Sequence, residues 1–242
     1  MSKTDVITRK DMKEPDKFQQ AATQAASWIA SRRRHVVLAG ALGVAAVLVL
    51  AVVSAVNAGR EERAGAAAAD LLATISGEIS SVPLPGFPGP FFPTEEARRR
   101  AIVAAATKVL AEHSGTGAAQ LAALALGDAH LGLREWDLAR SAYERFLSAA
   151  PRTDSLRFGA IEGIALAEEA KGNLDAAAQA YDRLGRESPA FGDRADLERA
   201  RVLAQAGKNA DAKALLAGFA DRHKESLLTP EASERLARLG GK

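Results

Sequence analysis

Gln120 to Pro151 reads QLAALALGDAHLGLREWDLARSAYERFLSAAP, and Phe158 to Pro189 reads FGAIEGIALAEEAKGNLDAAAQAYDRLGRESP. Three landmarks shift together by 38 residues between them: Ala139 to Ala177, Tyr143 to Tyr181 and Pro151 to Pro189. Self-similarity at such a period marks stacked supersecondary units. In each stretch a small residue on the first helix (Gly127, Ala165) faces a small residue on the second (Ala139, Ala177), which lets the two helices pack closely. Tyr143 or Tyr181, one turn further on, fills the gap towards the next helix. A unit of this kind cannot bury its faces alone, so three or more must stack. The reading is an all-α fold with an α-solenoid at its centre. Leucine at Ala139 or Ala177 is expected to overpack this contact by ~1–3 kcal/mol, visible as a lowered melting temperature of the soluble domain.

These landmarks stand at the relative positions of the tetratricopeptide pattern, a helix–turn–helix repeat of about 34 residues. The first unit (near 120–153) has Leu126-Gly127, His130, Ala139-x-x-x-Tyr143 and Pro151, with Ala123 where the pattern asks for a large residue. The second (158–191) has Ile164-Ala165, Gly172 at the turn, Ala177-x-x-x-Tyr181 and Pro189. A degenerate third (193–226) has Ala200, Leu203, Gly207 at the turn, Ala212-x-x-x-Leu216 and Phe219, with Lys224 in place of the closing proline. Terminal repeats are often atypical because one side must face water. Thr229-Pro230-Glu231 then opens a short capping helix, 230–239.

Before the repeats, Ser80 to Pro93 carries five prolines and two glycines, a density no helix survives. It reads as a linker, its three phenylalanines either packing back on the first repeat helices or docking a partner. Thr94 is a suitable N-cap for a helix to about His113. Residues 59–79 are Ala-rich and read as a juxtamembrane helix.

Val36 to Ala58 is 23 residues without a charge. About 20 apolar residues at ~1.5 Å each cross the hydrocarbon core, so this run is a candidate membrane span. Eight basic residues precede it, Arg32–Arg34 directly, and only Arg60 and Arg63 follow it closely. Basic flanks stay on the cytoplasmic side, which puts the N-terminus inside and the C-terminal bulk outside. The run is longer than a cleavable signal core, which favours an uncleaved anchor over cleavage after Ala58. Asp16 to Ala30 reads as an amphipathic helix ending near Trp28, either lying on the inner leaflet or only setting topology. Ala39, Gly40, Gly43 and Ala46 form a small-residue face for another membrane helix.

The net charge of +2 conceals this asymmetry: the positive excess sits beside the span, so the pI near 9.0 does not argue for nucleic acid. With no cysteine, disulfides and thiolate metal sites are excluded. Gly115-Thr116-Gly117 lacks the last glycine of a dinucleotide loop and follows no strand. No phosphate-loop lysine, H-E-x-x-H or G-x-S-x-G motif occurs, and His35, His113, His130 and His223 are scattered. No catalytic residue, metal or cofactor is assigned, nor a small-molecule substrate. Asp128, Leu131, Glu162, Leu166, Glu169, Leu197 and Arg201 are the expected groove positions, a mixed surface suited to a protein or peptide.

Taken in order, Asp16-x-Phe18, the helix ending in Trp28-Ile29, the basic residues, one span, an Ala-rich helix and repeats opening at Ala118-Ala119-Gln120-Leu121-Ala122 resemble the bacterial YfgM-like proteins, ancillary to the Sec translocon. The linker 80–93 and the long tail before Asp16 depart from that family. The resemblance implies a single-pass inner-membrane protein with periplasmic tetratricopeptide repeats that meet the translocon, periplasmic chaperones or emerging substrates. The alternative is a repeat scaffold for a cell-division or cell-wall-synthesis complex.

Overall fold

The computed structural model describes residues 33–82, 86 and 89–241, without the side chains of 33–41, 43 and 44. The helix expected over Asp16–Ala30 lies outside these residues, as do Pro83–Pro85, Phe87 and Pro88 and the side chains of Ala39, Gly40 and Gly43. The chain divides into two units, Met1–Ala58 and Gly59–Lys242. Helix α1, Arg33–Ile75, supplies the described part of the first and opens the second.

In the first unit every residue from Ala45 to Ala58 is exposed. Among the described residues, which leave out the side chains of 36–41, 43 and 44, no helix is long and apolar enough to cross a membrane.

The second unit is all-helical apart from one small ladder. After α1 come β1 (Glu78–Ile79), β2 (Phe91–Phe92), α2 (Glu95–Glu112), α3 (Gly117–Gly132), α4 (Trp136–Ala149), α5 (Arg157–Ala170) and α6 (Leu174–Glu187). A 3₁₀ turn (Pro189–Phe191) leads into α7 (Gly192–Gln205), α8 (Asn209–Ala217), α9 (Phe219–Arg222) and α10 (Thr229–Gly240). From α2 to α8 each helix packs on the next in sequence, the packing an α-solenoid makes.

The same turn chemistry recurs between the helices of each unit. Gly172 and Gly207 have φ of +81° and +77°, and the equivalent position of the first unit is Arg134, φ +62°. At each, the next N–H closes back on the helix: Glu135 to the His130 carbonyl, Asn173 to Glu168 and Lys208 to Leu203, all at 2.9 Å. These are Schellman closures, which require the left-handed conformation that glycine adopts without a Cβ clash. Arg134 is strained there, and Arg134→Gly is expected to stabilise the unit by about 0.5–1 kcal/mol, read as a raised melting temperature. A second feature repeats with the turns: Lys171 reaches Asp137 at 2.5 Å and Lys208 reaches Asp175 at 2.6 Å. Such exposed pairs are worth little energy each, but they fix the register between successive units.

Tyr143 on α4 is the central wedge of the core, and 1% of it is exposed. A Cβ on Gly127 of α3 would stand 2.5 Å from its ring, and one on Gly163 of α5 would meet the opposite edge. Two glycines in two neighbouring helices therefore make room for one aromatic ring. Ala139, Ala165, Ala177, Ala200 and Ala212 are buried at the helix crossings, and Tyr181 is buried in the second unit. A separate apolar cluster of Leu197, Ala200, Leu216, Phe219 and Ala232 closes the C-terminal end.

The core also takes in residues that the sequence reading places outside the repeats. Ala64 and Leu71 of α1 are fully buried in the main cluster, beside Ile102, Ala106 and Val109 of α2. Glu61 accepts from the Gly117 N–H at the start of α3 (3.2 Å). Arg98 donates to the carbonyls of Ile75 (3.2 Å) and Gly77 (3.3 Å), capping the other end of this segment. The helix expected over 59–79 stops at Ile75, because Ser76 and Gly77 end it and Glu78–Ile79 pair in parallel with Phe91–Phe92. This ladder pairs the residues just before the Pro-rich segment with those near its end.

Candidate functional site

The first helix of each unit, α3, α5 and α7, carries the groove positions. Asp128 accepts a hydrogen bond from the Tyr143 hydroxyl at 2.6 Å. By area Asp128 is exposed, but it sits in a recess walled by Ile75, Arg98, Arg99 and Ile102. Desolvation therefore leads, raising its carboxyl above the ordinary range against the Tyr143 bond and Arg99, which lower it. Burial, followed by Asp128, raises the Tyr143 hydroxyl well above its usual range, so this tyrosine stays protonated.

The sign of the pH effect follows. Below the unfolded value near 3.8 both states are protonated and Asp128 contributes nothing. Above its raised folded value the native state holds a disfavoured charge, so stability is lost as pH rises through that window. Asp128→Asn is expected to raise the melting temperature at neutral pH, with the gain vanishing below pH 3.8. A gain that persists in acid would contradict this account.

Further along the groove the charged candidates are paired across units. Glu162 meets Arg194 at 2.6 Å, and Glu169 takes two bonds from Arg201 at 2.6 and 2.7 Å. Both pairs span 32 residues, so an acidic face on α5 meets a basic face on α7 in two rungs. Arg201 also donates to Glu198 at 2.7 Å. Its hydrogen bond lowers the Glu169 carboxyl, while burial followed by Glu198 and Glu169 pushes the Tyr181 hydroxyl up to about 12. Leu166 stands between the rungs and is exposed, whereas Leu131 is half-buried against the core.

Leu197 corrects the sequence reading. It does not line an open groove: 3% of it is exposed, and it packs with Leu216, Phe219 and Ala232. It is covered because Leu216 of α8, Phe219 of α9 and Ala232 of α10 close the C-terminal end over α7.

Of the described polar residues not singled out as sites, four are buried: Thr116, His130, Arg157 and Glu168. Glu168 is 3% exposed and bonded to Arg140 and Asn173, both at 2.8 Å. It points towards α4, whereas its neighbour Glu169 points towards α7. Arg157 is 5% exposed and joins α4 to α6. The sequence around it has no periodic feature that marks a buried cation. His130 is buried, with Nδ1 2.6 Å from Glu135, across the turn that Arg134 makes.

Beyond the groove, a cleft of about 470 Å³ opens between α7, α8 and α10, and Arg201, Arg235 and Arg238 line it. The sequence marks 230–239 only as a capping helix, and nothing in its spacing singles out Arg235 or Arg238. Among the described residues no group of three or more His, Asp or Glu is placed to hold a metal ion. No protein-family model matches the chain, and no curated protein matches its sequence.

Proposed function

We propose that this chain is a membrane-anchored adaptor whose tetratricopeptide repeats bind partner proteins. Val36–Ala58 is its single span, the N-terminus is cytoplasmic and the repeats stand in the periplasm of a bacterial inner membrane. The observation that carries this reading is the exposure of α1: Val47, Leu48, Val49, Leu50 and Val52 are 60–67% exposed. A helix apolar on every side is at home in lipid or in the core of a large protein. Each such side chain left in water forgoes roughly 1.5–3 kcal/mol of burial, a cost no isolated helix sustains. The charge asymmetry of its flanks sets the orientation.

The repeats supply the binding surface. On the resemblance to the YfgM-like family, the partners are translocon subunits, periplasmic chaperones or emerging substrates, and the role is ancillary to protein export and folding. A scaffold for a cell-division or wall-synthesis complex is the second reading, favoured by the same exposed surfaces.

Crosslinking in the membrane from Leu166 and from Ala46, followed by mass spectrometry, tests the partner. Recovery of translocon subunits is the expected result. Recovery of division or wall-synthesis proteins alone overturns the export reading. A phosphatase reporter fused after Lys242 is expected to be active, and an inactive one overturns the orientation.

A further inference from the structure

We propose that the cleft between α7, α8 and α10 is a docking site for an extended peptide in which acidic and apolar side chains stand next to each other. The proposal rests on the adaptor reading and adds a ligand chemistry and a place. The cleft measures about 470 Å³, within the ~300–1,000 Å³ range of small-ligand sites. Its apolar wall is Ala200, Ala204, Leu216 and Leu239, and its charged residues are Arg201, Arg235 and Arg238. Among the described residues no carboxylate lines it.

The two-rung ion-pair pattern between α5 and α7 is not repeated between α7 and α10 among the described residues. Glu162–Arg194 and Glu169–Arg201 bridge α5 to α7 at a spacing of 32 residues, and a further step of 32 falls on Ser226 and Ser233. Neither serine can form an ion pair: Ser226 instead donates to Asp193 of α7 at 2.6 Å, and Ser233 donates to the Thr229 carbonyl within α10. The tie from α10 to α7 is Arg235, which crosses to the Leu197 carbonyl at 3.1 Å and to Glu198 at 3.4 Å, with the cleft beside it.

The three guanidiniums are held from behind. Glu169 and Glu198 hold Arg201, Glu231 holds Arg235 at 2.7 Å, and Glu234 holds Arg238 at 2.5 Å. The pairing of Arg201 with two carboxylates orients it in advance, which lowers the ordering cost of binding. Among the described residues the bonds of Arg235 and Arg238 leave Nε of Arg235, and Nε and Nη1 of Arg238, as donors without a bond. Arg235 and Arg238 lie three residues apart on one face of α10, and both line the cleft. A carboxylate side chain fits that pair, and a neighbouring apolar side chain fits the wall. The Gln205 amide, also on the lining, offers a donor and an acceptor to a peptide backbone. A fatty acyl chain would need a longer apolar channel than these four residues make.

The test uses the full chain in detergent and a fluorescein-labelled peptide of alternating glutamate and leucine, followed by fluorescence anisotropy. Saturable binding is expected, weakened about tenfold or more by Arg238→Gln and by a peptide with glutamine for glutamate. Ala204→Leu, which fills the cleft, should abolish it. Arg145→Gln, an exposed arginine on α4, should leave it unchanged. Absence of saturable binding, an equal loss with Arg145→Gln, or binding of dodecanoate but not of the peptide overturns the proposal. Crosslinked partners recovered without any peptide binding sink the cleft and leave the adaptor reading standing. Peptide binding with no protein partner recovered upholds the cleft and sinks the adaptor reading.

Discussion

Tyr143→Ala is expected to destabilise the helical unit by about 3–5 kcal/mol, the range for losing a buried aromatic. The cost should lie at the upper end, because the ring sits between Gly127 and Gly163. Neither glycine has a side chain that can relax into the hole. Tyr143→Phe keeps the wedge and loses only the 2.6 Å bond to Asp128, at about 1 kcal/mol. Thermal and urea unfolding of the two variants separates these terms. Equal losses would mean that the hydroxyl, and not the ring, holds the crossing.

Arg157→Ala should cost a similar ~3–5 kcal/mol, because it removes one partner from a buried charged network. Its guanidinium donates to the Leu147 (2.8 Å) and Ala150 (3.1 Å) carbonyls at the end of α4 and forms an ion pair with Glu187. Glu187 also accepts from Arg183 at 2.7 Å, and Arg183 donates to Glu144 at 3.0 Å. One cation thus ties the last turn of α4 to the end of α6. Lysine should rescue poorly, since it lacks the fork that serves three acceptors at once.

Acid titration gives the same network a second readout. Burial acts to raise the Glu187 carboxyl, but the guanidiniums of Arg157 and Arg183 outweigh it and hold the group below its ordinary value of 4.5. Its stabilisation is therefore present above pH 4.5 and lost as pH falls through the depressed value. In Arg157→Ala that acid-dependent loss should be smaller.

The helical repeat was legible because a close crossing demands small residues at fixed spacing, and Gly127, Ala139, Ala165 and Ala177 stand out even in an Ala-rich chain. Gly172 and Gly207 marked two turns for the same reason. Arg134 hid the third, since nothing in its chemistry announces a left-handed backbone. The burial of Ala64 and Leu71 was not legible: in an Ala-rich run, a face packed on protein reads much like one left in solvent. The groove was read position by position, which placed Glu162, Glu169 and Arg201 on one face without revealing that they neutralise one another. Leu197 was misplaced by carrying the regular repeat into its degenerate last unit, where Leu216, Phe219 and Ala232 close over α7. Arg157 illustrates a general limit, because a buried cation depends on carbonyls and a carboxylate that are distant along the chain.

Most of the buried apolar residues are alanines. Alanine brings helix axes close but withdraws less apolar surface from water per residue than leucine or phenylalanine does. Unfolding such a core exposes less apolar surface, so its heat-capacity increment should lie below the usual ~12–15 cal/mol/K per residue. The stability of this unit should then vary little with temperature, falling off gently towards both cold and heat.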